Sequence, residues 1–158
     1  MTKAQLKIKT HLGDLYLVAS PSGLQSIFWT KSKIPMLENP QSPEGKILRQ
    51  TESQLQEYLQ GQRRKFDLPL DLKGTEFQKK VWKELLKIPY GKTTSYKQLA
   101  TVLGSPQASR AVGTANGKNP VCIVVPCHRV INTDGGLGGY SGGLKIKSQL
   151  LQLEQGRT

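Results

Sequence analysis

The stretch Ser95-Tyr96-Lys97-Gln98-Leu99-Ala100-Thr101-Val102-Leu103-Gly104-Ser105-Pro106-Gln107-Ala108-Ser109-Arg110-Ala111-Val112-Gly113-Thr114-Ala115-Asn116-Gly117 decides how the second half of the chain folds. Ser95 can cap a helix bearing Tyr96, Leu99, Ala100 and Leu103, which Gly104 closes. Ser105-Pro106 restarts a helix at once, with Pro106 at the first helical position, running through Arg110 and Val112 to about Asn116-Gly117. Two short helices joined by a tight glycine-containing turn are the pattern of a helix-turn-helix. An ordinary helical hairpin has the same spacing, so the pattern alone leaves both open.

Upstream, Thr75-Glu76-Phe77-Gln78 is a capping-box pattern, followed by Phe77, Val81, Leu85 and Ile88 on one helical face and a stop at Pro89-Tyr90-Gly91. Downstream, Val121-Cys122-Ile123-Val124-Val125 lies between Pro120 and Pro126 and reads as a buried extended segment. Pro126-Cys127-His128-Arg129-Val130-Ile131 follows directly. Residues 134–143 hold six glycines around Leu137, Tyr140 and Ser141, which suits either backbone approaching a ligand or a flexible surface loop. A last helix, roughly 143–155, shows Ile146, Leu150 and Leu153 and carries Glu154.

The first half reads differently. Leu6/Ile8 and Tyr16/Val18 alternate, broken at Leu12-Gly13-Asp14 and Ser20-Pro21-Ser22-Gly23, which predicts a hairpin or meander with a short strand near Gln25–Trp29. Residues 31–45 carry three prolines and no periodicity, hence a loop. Ile47/Leu48, Thr51, Leu55 and Tyr58/Leu59 predict a helix from about Glu44 to Gln60, stopped by Gly61. The basic-then-proline connection at 62–72 divides an N-terminal domain, 1–70, from a C-terminal one, 71–158.

Length and charge bound the function. A chain of 158 residues is one domain or two small ones, and no apolar run approaches the roughly 20 residues that span a bilayer. The N-terminal residues lack the apolar stretch of a signal peptide, and two cysteines make neither a disulfide framework nor a zinc site, so a cytoplasmic protein without metal is expected. Net charge is +12. Residues 1–70 carry 10 basic and 6 acidic side chains, while 71–158 carry 13 and 5. Excess positive charge on the half with the helix pair fits a polyanion binder, although lysines also serve solubility.

Of the two cysteines, Cys122 sits inside an apolar run and reads as a small buried hydrophobe. Cys127 has His128 and Arg129 after it, Pro126 before it and the glycine loop beyond. A free thiol is only a few per cent thiolate at neutral pH, and a proton-accepting neighbour raises the fraction able to attack.

Taken together, Asn119-Pro120-Val121-Cys122-Ile123-Val124-Val125-Pro126-Cys127-His128-Arg129-Val130-Ile131 strongly resembles the active-site signature of the O6-alkylguanine-DNA alkyltransferases (methylated-DNA–protein-cysteine methyltransferases). Gly91-Lys92-Thr93-Thr94-Ser95-Tyr96, Ala108-Ser109-Arg110-Ala111-Val112-Gly113 and Tyr140-Ser141-Gly142-Gly143 resemble it too, in order and correctly spaced from about Gly74 to Glu154. The resemblance implies an α+β fold. A small N-terminal ribonuclease-H-like α/β domain would precede a mainly helical, winged-helix-like C-terminal domain with a helix-turn-helix.

It also implies direct-reversal DNA repair by a single-turnover enzyme. An alkyl group would pass irreversibly from O6 of guanine, and from O4-alkylthymine, in double-stranded DNA onto Cys127. The nucleotide would be flipped out from the minor groove by a monomer needing no cofactor and no membrane. Arg110 would fill the gap in the base stack, with Ala108, Ala111 and Gly113 permitting close approach. His128 would accept the thiol proton through a water, polarised by Glu154. Tyr96 would donate toward N3 of the base, while Val130, the Cys127 backbone, Tyr140 and Ser141 would bind guanine. Asn119 would be the hinge tying the helix pair to the active-site segment, and Arg129 reads as structural. The competing readings are a non-enzymatic alkylated-DNA lesion sensor, which would survive loss of Cys127, and a thiol hydrolase using Cys127 and His128.

Overall fold

The structure is a computed structural model describing residues 2–156, and it divides into two compact units between Lys73 and Gly74. In the first unit, strands β1 (Ala4–Thr10), β2 (Gly13–Ser20) and β3 (Gly23–Phe28) form an antiparallel meander in the order β1-β2-β3. The β1–β2 register runs from Ala4↔Ala19 to Thr10↔Gly13, and a bulge shifts β2 against β3 at Val18/Ala19. Helix α1 (Pro43–Leu59) lies on this sheet. Ser42 Oγ caps it by accepting from the Gly45 amide at 3.0 Å. Its Leu48, Leu55 and Tyr58 are fully buried, worth about 1.5–3 kcal/mol for each aliphatic side chain removed from water.

Two features of this unit were not legible as patterns. Gln5 is buried although polar, because it holds the 32–37 loop: its Nε2 donates to the Ile34 carbonyl at 2.8 Å and its Oε1 accepts from the Ser32 amide at 2.9 Å. Gly23 sits against the 69–71 backbone so closely that a Cβ would stand 2.7 Å from the Leu70 carbonyl carbon.

The second unit is helical. Thr75 and Gln78 complete a reciprocal capping box on α2 (Glu76–Leu85), as the sequence predicts. Val81, Trp82 and Leu85 are buried, and the Trp82 indole donates to the Ala115 carbonyl at 2.9 Å. Ser95 caps α3 (Tyr96–Val102), which packs on α4 (Ser109–Gly117), as does α2. Strands β4 (Thr94–Ser95) and β5 (Val130–Ile131) pair in parallel, Thr94 with Val130 and Ser95 with Ile131. Helix α5 (Leu144–Glu154) closes the chain, entered through Gly143 at φ +98°.

Three readings need correction. Pro106 does not start α4. Gly104, at φ +79°, ends α3, and the Ala108 amide donates to the Ser105 carbonyl at 2.8 Å. That closes a four-residue turn with Pro106 at its second position, where its fixed φ serves equally well. The 121–125 run is buried but not extended. Ile123 takes φ +73°, and bonds from the Val124 amide to Cys122 O and from the Val125 amide to Val121 O coil the run into turns. A short apolar run reports burial, not conformation. Finally, Leu150 is buried on α5 as expected, but its companions on the buried face are Lys147, Leu151 and Glu154, not Ile146 and Leu153.

Candidate active site

Cys127, His128 and Arg129 form a single 3₁₀ turn between the coiled 121–125 run and β5. Asn119 shapes the approach to that turn. Its Oδ1 accepts from the Val121 amide at 3.0 Å, and its Nδ2 donates to the Val125 carbonyl at 2.7 Å. Cys127 is 5% exposed, and His128 is fully buried.

Glu154 reaches this turn from the last residue of α5. Its Oε2 lies 2.7 Å from His128 Nε2 and accepts from Arg129 Nη2 at 2.9 Å. Its Oε1 accepts from Arg129 Nε at 2.8 Å and from the Gly91 amide at 3.3 Å. Arg129 also donates to the Ile88 carbonyl at 2.7 Å and lies over the Tyr90 ring at 5.7 Å. One carboxylate therefore ties α5, the 3₁₀ turn and Gly91, in the connection that follows α2, together. Arg129 supplies its counter-charge, in keeping with a structural role.

Burial pushes the His128 pKa below its ordinary value, against the opposing effect of Glu154. A neutral His128 donates Nε2–H to the carboxylate and carries its lone pair on Nδ1, the form a general base requires. Burial likewise raises the Cys127 thiol to about 11, while hydrogen bonding from Asn119 and the charge of Lys147 pull the other way. Cys122 is buried and its thiol is pushed far up by the same cause, which leaves it inert.

The β4–β5 pairing places the start of α3, and so Tyr96, beside the segment that follows Cys127. The Tyr96 ring lies over Gly113 of α4, where a Cβ would be 3.6 Å from Cδ1. Its hydroxyl lies close to Gly138 of the glycine loop, where a Cβ would stand 3.0 Å away. Burial, then the nearby Cys127 charge, raise the Tyr96 pKa above its ordinary value, and Asn116 acts in the opposite sense. Val130 is buried, Tyr140 is half-buried and Ser141 is exposed. On α4, Arg110 and Ala111 are exposed, and Ala108 and Gly113 are half-buried. Beside β4 and β5, an open cavity of about 390 Å³ is lined by Thr94, Lys97, Gln98, Asn132 and Thr133 among others.

Two residues of this site escaped the sequence reading. Lys147 is fully buried, and its Nζ donates to the carbonyls of Val130 at 2.7 Å, Gly139 at 3.1 Å and Leu137. It thus clamps the glycine loop to β5, and burial lowers its pKa to about 8. Its spacing from Leu150, Leu151 and Glu154 was the available signal, since a lysine on an apolar helical face requires a partner. Asn116, buried on α4, donates from Nδ2 to the Cys127 carbonyl at 3.4 Å. Nothing in its local pattern marks it.

Residues 76–156 match the family model described as the DNA-binding domain of 6-O-methylguanine DNA methyltransferase, and residues 6–72 match that of its ribonuclease-like domain. A methylated-DNA–protein-cysteine methyltransferase of Methanosarcina barkeri is 45% identical over 154 residues, 94% of each chain. The Mycobacterium tuberculosis OGT, solved in complex with DNA, superposes with a TM-score of 0.86 at 41% identity, covering 96% of this chain and 92% of that one. An O6-methylguanine DNA methyltransferase from Methanococcus jannaschii gives a TM-score of 0.68 at 28% identity, with 95% and 93% covered.

Proposed function

The chain belongs to the 6-O-methylguanine DNA methyltransferase family and is an enzyme of the methylated-DNA–protein-cysteine methyltransferase class, and from that premise we propose that it moves an alkyl group from O6 of guanine in duplex DNA onto Cys127. The observation that carries the reading is the buried Cys127–His128 turn locked by Glu154, built behind a basic pair of helices. A reacting oxygen hidden in a base stack can reach a thiol so placed only if the nucleotide leaves the stack. Exposed Arg110, at the start of α4, is the side chain to hold the gap, and half-buried Gly113 permits close approach from the minor groove. The protein acts as a monomer and in the cytoplasm.

The bond chemistry balances within the site. Sulfur forms a bond to the alkyl carbon as the carbon–oxygen bond breaks, and the electron pair passes into the guanine ring. His128 takes the thiol proton through a bridging water, and the Tyr96 hydroxyl gives a proton to N3 of the departing base. The imidazolium and phenolate so formed cancel in charge, and a proton passing through solvent restores both. Val130, Tyr140 and Ser141 wall the base, and O4-alkylthymine offers the same oxygen. The product is a thioether, and among the described residues no second nucleophile is aimed at it, so each molecule acts once.

Intact-mass spectrometry after mixing with a duplex carrying one O6-methylguanine tests the reading. A gain of one methyl group, mapped to Cys127 and absent in Cys127→Ser, is expected. An unchanged mass with tight binding of the lesion duplex would instead make the protein a lesion sensor.

A further inference from the structure

The excess positive charge of the second unit is not concentrated where alkyl transfer would use it. The helix pair that would dock on the lesion carries one basic residue per helix, Lys97 on α3 and Arg110 on α4. Helix α2 and the turn that ends it carry Lys79, Lys80, Lys83 and Lys87, all exposed. The acids of α2 leave most of this charge standing. Glu84 is engaged by Lys87 at 2.8 Å, and Glu76 lies in the first turn, where the helix dipole favours a carboxylate. Lys79, Lys80 and Lys83 have no carboxylate within ion-pair distance among the described residues.

Their direction matters as much as their number. At about 100° per residue, these three lysines fall within about 100° of arc, roughly opposite the buried Val81, Trp82 and Leu85. That buried face is turned on α4, where the Trp82 indole donates to the Ala115 carbonyl, and on the Cys127 turn. On α4 the same periodicity sets exposed Arg110 opposite the buried Val112, Ala115 and Asn116. Arg110 and the lysines therefore leave the α2–α4 pair on opposite sides, two helix thicknesses or about 20 Å apart. A straight duplex seated on Arg110 does not reach the lysines.

We propose that this lysine stripe is a second polyanion-binding surface whose occupant is the phosphate backbone of a second stretch of duplex DNA. From Lys79 to Lys83 is about 6 Å of helix axis, over which a duplex presents about three to four phosphate charges. The choice of DNA over another polyanion rests on the alkyl-transfer reading above, since an enzyme whose substrate is a duplex works among duplex phosphates. Each phosphate met by a lysine releases a condensed counterion, which makes the contact independent of base sequence and sensitive to salt. With one surface holding while the other lets go, the protein passes between stretches of DNA without returning to bulk solvent.

The test uses two unmodified duplexes of about 12 base pairs, roughly 40 Å long, one immobilised in excess over protein and the other fluorescent in solution. Wild-type protein should retain the second duplex on the first. Retention should fall with salt along a log–log slope of about −3, the value for roughly three phosphates. The triple variant Lys79→Gln/Lys80→Gln/Lys83→Gln should retain at least about tenfold less at low salt. Lys79→Arg/Lys80→Arg/Lys83→Arg should match the wild type, because phosphate is held there by charge. The glutamine variant's affinity for a single O6-methylguanine duplex should stay within about twofold, as should its methyl-transfer rate read by intact mass, since the substitutions are confined to an exposed helix face. Absence of retention by the wild type overturns the proposal, and so does equal retention by the glutamine variant. A glutamine variant with weakened affinity for the single lesion duplex also overturns it, by placing the lysines on the same duplex as Arg110. A wild-type protein that gains no mass sinks the transfer reading itself and leaves retention to be measured, whereas a transferring wild type without retention sinks only this inference.

Discussion

The free protein should be a poor thiol nucleophile until DNA is bound. Burial places the Cys127 thiol at about 11, against an ordinary value of 9.0. Two units are a hundredfold loss of thiolate at any pH well below both values, so at pH 7.4 roughly one molecule in 4,000 carries it. The perturbation is iodoacetamide added to the DNA-free protein from pH 6 to pH 10, with Cys127 modification followed by peptide mass mapping. Its rate should rise about tenfold per pH unit without a plateau, and at neutral pH it should lie at least ~100-fold below that of a short cysteine peptide. Lys147→Met should slow it further, because the Lys147 charge is one of the groups pulling the thiol down. The linked stability has a definite sign. A group whose folded pKa is raised contributes fully below pH 9, and that contribution, about 3 kcal/mol, is lost as pH climbs through 11. A plateau below pH 8 would overturn this, since it would mean that the free protein already holds a thiolate.

Glu154→Gln leaves the buried Arg129 guanidinium without its counter-charge, a loss of about 3–5 kcal/mol, and differential scanning calorimetry should show Tm down by about 6–20 °C. Because burial lowers the folded pKa of His128 beneath 6.5, the unfolded chain binds more protons there. Urea midpoints should therefore fall as pH drops from about 7 toward 5, and a neutral replacement, His128→Gln, should flatten that slope. Gly138→Ala places a methyl group 3.0 Å from the Tyr96 hydroxyl at φ +73°. Transfer rates measured with a series of O6-alkyl duplexes should fall, most for the bulkiest groups, while affinity for unmodified DNA stays within about twofold.

Elements whose causes are local were legible before any tertiary contact was known. The Thr75–Gln78 capping box, the Ser95 cap and the meander strands depend on neighbours within a few residues, and each formed where its pattern lay. The order of Asn119, Cys127, His128, Tyr140 and Glu154 along the chain was likewise enough to indicate the family. Tertiary structure decided what depends on residues distant in sequence. Pro106 is acceptable either at a helix start or within a turn, and the closure between Ser105 and Ala108 chose the turn. The 121–125 run is apolar in any conformation, and the Asn119 amide helped to select the coiled one. Glu154 became a ligand of His128 and Arg129 only because α5 returns across 25 residues, and Lys147 became a clamp because three carbonyls converge on it. A buried charge or amide is stable only where partners from other segments meet it, and periodicity carries no record of those partners.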